Sequence, residues 1–312
     1  MERNESFDIL KGFGIILMIV AHTYGPNSMI WDFIYTFHMP LFFIVTGYFY
    51  KQKPISELLK KNYNQLLVPY LTLCLIVIVL TQLRQPHTIQ SDIKSTLYGM
   101  GPGWFLLAML LVRIEFHYIL KLFPNFYLLI SFLISTSICF IAYYHDIPSF
   151  ISFFPSLVSL FFVAIGYYIR VHSLLNFTRK HSHISLSVGL IFWLTTSLFG
   201  KVELSQCIFK LSIIDFLGSI GGTFLFFKLS QSIDNNNLGI KTILSNAGRY
   251  SLVILFFHCI DYCVPVWYLI EPYIPSSVLL LFILIIRLVF VYVCVIITIR
   301  TKWLRAFFRI KS

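Results

Sequence analysis

Long apolar segments, separated by short polar stretches, run along the whole chain. Each approaches the 20 or so residues that a helix needs to cross a hydrocarbon core. The short alternating strands of a membrane β-barrel are a different pattern. We therefore predict an all-α fold, a polytopic integral membrane bundle of about ten transmembrane helices. The predicted helices are 9–24, 30–50, 66–83, 103–120, 126–144, 149–169, 184–199, 211–229, 243–262 and 277–299.

The composition supports this class of protein. Of 312 residues, 58% are hydrophobic and 12% are charged, whereas soluble domains carry about 25% charged residues. The mean hydropathy is +0.81. The longest predicted loops, 51–65 and 84–100, are too short for an independent core. We therefore expect residues 1–312 to form a single transmembrane domain.

The distribution of positive charge predicts the topology. With the N-terminus inside, 17 of the 24 Lys and Arg residues fall on the cytoplasmic side, four on the outer side and three within helices. Lys and Arg collect in cytoplasmic loops. We therefore expect both termini in the cytoplasm and a multi-pass protein of the cell inner (plasma) membrane. The same rule accounts for the net charge of +11, and nucleic acid is not an expected partner because no polar segment carries a basic stripe with interleaved aromatics.

The six cysteines do not form a recognisable redox or metal pattern. Most lie within apolar runs, and the chain has no C-x-x-C pair. A disulfide framework or a zinc site is therefore not expected, and we predict no metal site. Cysteines in such runs usually behave as small hydrophobic residues.

The first predicted helix carries the most informative polar residues. Lys11 and His22 are eleven residues apart, so they share one helix face and lie roughly 16 Å apart along the axis. Asp8 lies one turn before Lys11, within reach of an ion pair. Taken singly, Lys11 could be an interfacial lysine that reaches lipid headgroups, and His22 a histidine at a helix end. Their common face favours a shared function.

The segment FDILKGFGIILMIVAH at residues 7–22 resembles the first helix of the acyltransferase-3 family of membrane acyltransferases, in which a basic residue, ten spacers and a histidine follow one another. Many members have Arg where Lys11 stands. The Lys-Gly form resembles the fucose 4-O-acetylase-like branch. Further similar segments are FHMPLFFIVTGYF at 37–49, Lys60-Lys61 with LLVPY at 66–70, GWFL at 103–106, and Gly248-x-x-Ser251 with His258.

The resemblance implies a membrane O-acyltransferase that moves an acyl group, expected to be acetyl, from cytoplasmic acyl-CoA to a hydroxyl of a cell-surface glycan or its lipid-linked precursor. Such a transfer needs a base for the hydroxyl proton, and histidine suits this role. We therefore predict His22 and Lys11 as catalytic residues. Lys11, Lys60 and Lys61 are predicted to bind the anionic donor. Acetyl-CoA is then a substrate, and no permanently bound cofactor is expected.

Six further residues are candidates for lining the site. They are Asp8, His38, Trp104, Arg113, Glu115 and His258. His38 could equally be a buried structural histidine. Arg113 and Glu115 are two apart, so each requires a partner on another helix. His258 and Asp261 share a face, which would allow the carboxylate to orient the imidazole, although two residues at a wet helix end are the favoured interpretation.

The main alternative function is a transporter or flippase of a lipid-linked or small polar substrate; a membrane scaffold or sensor is another. Intramembrane charges suit a transporter, but the sequence has no internal repeat of the kind that many secondary transporters carry. The Gly218-x-x-Gly221-Gly222 run is interpreted as close helix packing. The acceptor sugar, the acyl chain and the oligomeric state stay open at this point.

Overall fold

The computed structural model describes residues 4–26, 28–84, 103–145, 152–175, 182–236, 239–263 and 271–310. The predicted loop 84–100 lies almost wholly outside these residues, as does the start of the predicted helix 149–169. The first helices are α1 (Glu5–Tyr24), α2 (Met29–Tyr35), α3 (His38–Tyr48), α4 (Ile55–Asn62), α5 (Val68–Arg84), α6 (Trp104–Leu122), α7 (Tyr127–Tyr144) and α8 (Phe153–Val171). A π-helical turn, Tyr63–Leu67, joins α4 to α5.

The described residues of the second half are also mainly helical, and they include one small hairpin. Its helices are α9 (Ser182–Phe199), α10 (Ile213–Asn235), α11 (Lys241–Arg249), α12 (Ser251–Cys263), α13 (Ser276–Arg300) and α14 (Lys302–Phe307). Between α9 and α10, strands β1 (Val202–Glu203) and β2 (Ile208–Phe209) pair antiparallel around a 3₁₀ turn, Leu204–Gln206. The fold is an all-α polytopic bundle, as predicted. The hairpin was not predicted, because its strands are too short to show a period.

All ten predicted apolar segments contain helix. Within the described residues, seven helical stretches are long and apolar enough to cross a membrane, or eight if α11 and α12 form one bent span. Helix α6 is not among them; it carries Arg113, Glu115 and Lys121. The apolar part of α9, His183–Phe199, is short. The number of ten spans therefore stays a prediction.

Two of the predicted helices are interrupted. Met29–Tyr48 is still one candidate span, whereas the prediction of a single helix over 243–262 was wrong. The first break separates α2 from α3 and lies before Pro40, which occupies the first turn of α3. Proline is tolerated there because the first-turn N–H groups lack helical partners. The second break separates α11 from α12 at Tyr250, where the axes bend by 77°. The helices on both sides of each break contact α1.

Helix α1 lies at the centre of the bundle and contacts α2, α3, α10, α11, α12 and α13. Its closest approach is to α11, where Gly12 and Gly248 face the partner backbones. A Cβ at Gly12 would overlap the carbonyl of Leu244, and one at Gly248 would overlap the carbonyl of Asp8. Small residues permit such contact between membrane helices. The glycine that follows Lys11 therefore docks α1 onto α11.

The Gly218-x-x-Gly221-Gly222 run serves the same purpose between α9 and α10. Gly221 faces the backbone of Gly189, and a Cβ at Gly218 would overlap the side chain of Thr196. The interpretation as close helix packing is confirmed.

Candidate active site

One face of α1 carries four side chains that line cavities. Lys11, Ile15 and Met18 line one cavity, and Met18 and His22 line a second. Their positions, i, i+4, i+7 and i+11, form a single helical stripe. The predicted common face of Lys11 and His22 is therefore present, and it follows a path through the bundle.

The first cavity, called the Lys11 cavity, has a volume of about 270 Å³. Lys11 Nζ lies 2.8 Å from Asp8 Oδ1, so the predicted ion pair is present. Arg113 reaches the same cavity from α6, and its Nη1 donates to Asn62 Oδ1 at 3.4 Å. Three cations thus line this cavity: Lys11 from α1, Arg113 from α6, and Arg309, which follows α14.

A surface depression, called the basic groove, adjoins the Lys11 cavity. It is lined by Lys60, Lys61 and Arg305, among others, and it shares Asn64, Gln65 and Arg309 with the Lys11 cavity. Arg309 Nη2 donates to Asn64 Oδ1 at 2.7 Å, which links α14 to the turn after α4. The lysines predicted to bind a donor therefore lie at the mouth of the Lys11 cavity.

The second cavity, called the His22 cavity, has a volume of about 240 Å³. The His22 ring lies edge-on to Trp31 at 5.4 Å and to Tyr262 at 4.8 Å between ring centroids. The Tyr35 hydroxyl lies 3.3 Å from His22 Nε2. His22 Nδ1 has no hydrogen-bond partner among the described residues. One nitrogen of the imidazole is thus held by a hydroxyl, and the other is buried without a hydrogen-bond partner among the described residues.

Two more histidines line the His22 cavity. The His258 ring lies 5.3 Å from the His22 ring, is 2% exposed, and has no hydrogen bond to a described residue at either nitrogen. His38 donates from Nδ1 to the carbonyl oxygen of Ile34 at 3.0 Å. That bond crosses the break between α2 and α3, so His38 is both a structural residue and part of the cavity lining. Trp104, the first residue of α6, also lines this cavity.

A buried arginine holds the end of α1 that carries His22. Arg287 of α13 is 4% exposed, and its Nη1 donates to the His22 carbonyl at 3.0 Å and to Thr23 Oγ1 at 3.2 Å. Its Nε lies 3.1 Å from Asp261 Oδ2. A cation at this position satisfies a carbonyl that the helix end leaves without a helical partner.

The Asp261 carboxylate therefore pairs with Arg287, and the hypothesis that it orients His258 was wrong. The interpretation of His258 and Asp261 as a wet helix end was also wrong, because both side chains are buried. Sequence spacing identified a shared face but could not identify the stronger partner on α13.

Two predicted lining residues do not lie in either cavity wall. Asp8 is instead the partner of Lys11. Glu115 faces α8, where its Oε1 accepts a hydrogen bond from the Ser156 hydroxyl at 2.6 Å. The expectation that Arg113 and Glu115 find partners on other helices is confirmed, since Arg113 bonds Asn62 of α4. Glu115 has no geometric connection to the histidines.

Sequence reasoning missed several residues around His22. Trp31, Tyr35 and Tyr262 surround the imidazole, and Glu203 of the hairpin lines the same cavity. The Trp31 and Tyr35 rings stack at 3.5 Å, as expected for residues one helical turn apart. A Trp-x-x-x-Tyr spacing just after the helix that carries His22 was the available signal for two of them.

The two cavities meet at a common wall. Met18, Met39, Phe105 and Leu255 line both. The arrangement therefore places a basic entrance on one side of an apolar wall and a histidine pair on the other. Chemically, it can hold an anionic group at one end and accept a proton from a hydroxyl at the other.

Comparison with known proteins agrees with this chemistry. A family model described as an acyltransferase domain, that of the acyltransferase-3 family, matches residues 4–299. No curated protein and no solved structure matches the chain. The family match covers nearly the whole chain, including both cavities and the stripe on α1. The chain belongs to the acyltransferase-3 family of membrane acyltransferases.

Proposed function

We propose that this protein is an O-acyltransferase of the cell inner (plasma) membrane that moves an acetyl group from cytoplasmic acetyl-CoA to a hydroxyl of a cell-surface glycan or its lipid-linked precursor. Acyltransferase activity follows from the family. The donor, the acetyl group and the glycan acceptor are the finer parts of the proposal. The narrower likeness to the fucose 4-O-acetylase-like branch stays a prediction.

The observation that carries the proposal is that the basic groove, the Lys11 cavity and the His22 cavity lie next to one another along α1. Each adjoining pair shares lining residues: Asn64, Gln65 and Arg309 at one junction, and Met18, Met39, Phe105 and Leu255 at the other. A nucleotide donor with a long flexible arm suits this path. Its phosphates would bind the cations of the groove, and its thioester would extend along α1.

The cations at the entrance favour an anionic donor. Lys60, Lys61, Arg305 and Arg309 contribute to the groove, and Lys11 and Arg113 line the cavity beyond it. Charges of one sign that line a cleft raise the local concentration of an oppositely charged substrate. By the loop charges, this end of the path faces the cytoplasm, where acyl-CoA is made.

His22 is placed to act as the general base. In the direct reaction, an acceptor hydroxyl gives its proton to an imidazole nitrogen while its oxygen forms a bond to the thioester carbonyl carbon. The carbon–sulfur bond then breaks, and the thiolate leaves and takes up the proton as free CoA. Nε2 can serve as the base when the ring proton is on Nδ1, because Nε2 then carries the lone pair; the Tyr35 hydroxyl, 3.3 Å away, donates to it until the acceptor hydroxyl takes its place. The Tyr35 contact would fix that tautomer, a role known for partners of catalytic histidines.

The family match disfavours the transporter or flippase alternative, because the chain belongs to an acyltransferase family. The two adjacent imidazoles, whose rings lie 5.3 Å apart, do not separate the two functions, since intramembrane histidines also serve as proton relays in transporters.

The test is transfer by purified protein in lipid nanodiscs, supplied with radiolabelled acetyl-CoA and with membranes from cells that lack the gene. We expect release of free CoA thiol together with label in alkali-labile esters of the glycan fraction. The double variant Lys60→Ala/Lys61→Ala should raise the KM for acetyl-CoA about tenfold, as expected if the lysines bind phosphates. The control, Lys51→Ala/Lys121→Ala, removes two positive charges outside the groove and should leave the KM unchanged. Wild-type protein that neither binds acetyl-CoA nor releases the thiol would overturn the proposal.

A further inference from the structure

The hairpin between α9 and α10 forms one wall of the His22 cavity. Glu203, Ser205 and Gln206 line the cavity, although they are far from His22 in the sequence. The predicted helices 184–199 and 211–229 left this segment as a loop. Neither the stripe on α1 nor the basic groove includes any of its residues.

The hairpin is anchored by its apolar side chains. Val202, Leu204, Cys207 and Phe209 are buried in the main core. The Phe209 ring stacks on Phe216 of α10 at 4.3 Å and an interplanar angle of 11°. Strand pairing sets Val202 opposite Phe209. The polar residues that line the cavity are therefore held on a packed support, which is what a selective binding site requires.

The wall supplies hydrogen-bonding groups and a single formal charge. Among the described residues of the cavity lining, Glu203 is the one charged side chain when the histidines are neutral. Its Oε2 lies 3.5 Å from Lys201 Nζ, which is half exposed, so the ion pair is weak and screened by water. In the described part of the chain, Ser205 and Gln206 have no side-chain hydrogen bonds that would compete with a ligand.

We infer that Glu203, Gln206 and Ser205 form the acceptor subsite, and that the acceptor they take is a neutral polyhydroxylated molecule such as a sugar ring. The inference rests on the proposed function and adds the residues that select the acceptor. The carboxylate accepts hydrogen bonds from hydroxyls, and the amide and hydroxyl both donate and accept. Neighbouring hydroxyls on a ring need that mixture. Trp31 and Trp104 line the same cavity and supply apolar ring surface, as in most small-molecule sites.

The charge of Glu203 also determines what the subsite rejects. An acceptor with a carboxylate or phosphate next to the reacting hydroxyl would lie against a carboxylate in a partly buried wall. Like charges brought together away from water are strongly unfavourable. The basic groove, by contrast, suits the anionic donor. The two substrates are thus separated by charge at opposite ends of one path.

The test compares hairpin variants at matched abundance in cells that lack the chromosomal gene. Glu203→Gln and Gln206→Ala should each lower alkali-labile acetate in the cell-envelope glycans at least about tenfold, since hydrogen bonds to charged or polar substrate groups are lost. The affinity of the purified variants for acetyl-CoA should stay within about twofold of wild type, because neither residue lines the Lys11 cavity or the basic groove. Lys210→Ala is the control, because Lys210 is exposed on the same hairpin but lies outside the cavity lining.

The outcomes separate the possibilities. The acceptor subsite would be overturned if Glu203→Gln lost acetyl-CoA affinity and glycan acetate to the same extent. It would also be overturned if Lys210→Ala lost as much glycan acetate as Glu203→Gln. Either result would indicate a general structural role for the hairpin. Wild-type label on anionic sugars, or in alkali-stable amides, would overturn the neutral hydroxyl acceptor. If wild-type protein does not use acetyl-CoA at all, the proposed function fails first and the subsite falls with it. Normal donor use with unchanged glycan acetate in both variants would overturn the subsite alone.

Discussion

The two ends of α1 are built in different ways. The Lys11 end depends on neighbours in the sequence: Asp8 lies one turn away and pairs with Lys11, and Gly12 lets α1 dock onto α11. The His22 end depends on other helices. Its partners are Tyr35 of α2, the next helix, and three residues far away in the sequence, His258 and Tyr262 of α12 and Arg287 of α13.

This difference has a chemical reason. Attracting an anionic donor needs positive charge near the cavity entrance, and several lysines and arginines can contribute that charge together. Proton transfer needs one nitrogen within hydrogen-bond distance of one hydroxyl. A small displacement is costly in the second case, so the imidazole is fixed from several helices. We therefore expect substitutions at the His22 end to lower the turnover number, and those at the Lys11 end to raise the KM for the donor.

The largest effect is expected at His22. His22→Ala should lower the turnover number about 100- to 10,000-fold, the range usual for loss of a general base. His22→Gln should not restore it, because an amide cannot take up the proton. The measurement is the rate of acetyl transfer at saturating acetyl-CoA. His183→Ala serves as the control, since His183 is exposed at the start of α9. A His22→Ala protein with more than about a tenth of wild-type activity would exclude the role.

The next effect is expected at Arg287, which positions His22 without reaching the cavity lining. In Arg287→Met/Asp261→Asn both buried charges are removed together, so no unpaired ion is left. The turnover number should fall up to about 100-fold, because the end of α1 is displaced, while the KM for acetyl-CoA stays constant. Asp261→Asn alone keeps the Arg287 bonds to His22 and Thr23 and should lose much less.

The control for Arg287 is Arg300→Met, near the other end of the same helix. If the double variant and Asp261→Asn are equally impaired, the ion pair matters as a whole and Arg287 has no separate positioning role. A rise in the KM for the donor with a normal turnover number would contradict the division between the two ends of α1.

Lys11 should show the opposite pattern. Lys11→Ala is expected to raise the KM for acetyl-CoA about tenfold, with a smaller change in the turnover number, since it removes positive charge from the donor path. Lys11→Arg should keep much of the activity but not all, because guanidinium and ammonium groups differ in geometry. Lys51→Ala, an exposed lysine outside the donor path, provides the comparison. Wild-type kinetics in Lys11→Ala would favour a lysine that only reaches lipid headgroups.

The smallest effect is expected at Glu115. Glu115→Gln should leave both kinetic constants within about twofold of wild type, because the side chain faces Ser156 and lies outside both cavities. The Ser156 hydroxyl can still donate to the amide oxygen, so the contact between α6 and α8 persists. Activity and thermal stability are measured together. A loss of activity as large as that of Lys11→Ala, with unchanged stability, would show that α6 contributes to the path in a way the cavities do not reveal.

Much of this molecule could be predicted from its sequence. The lengths of the apolar segments require helices, since buried backbone groups in lipid must bond within their own segment. Helical geometry alone puts Lys11 and His22 on one face and Asp8 beside Lys11. The order of motifs from residue 7 to His258 predicted the family, which is confirmed. All these inferences depend on spacing within one segment or on the order of segments.

The remaining features arise only where segments meet. The pairing of His22 with His258 and the contact of His22 with Tyr262 join α1 to α12, which is distant in the sequence. The ion pair of Asp261 with Arg287 joins α12 to α13. The interruption before His38 lies within one helical turn of Pro40, a residue that kinks helices, whereas the bend at Tyr250 was not predicted. The hairpin with Glu203 and Gln206 is too short to have a sequence period. The spacing of residues along a helix determines which side of that helix each side chain faces. The residue that it meets on another helix depends on how all the helices pack against one another. That packing decided which residues form the site.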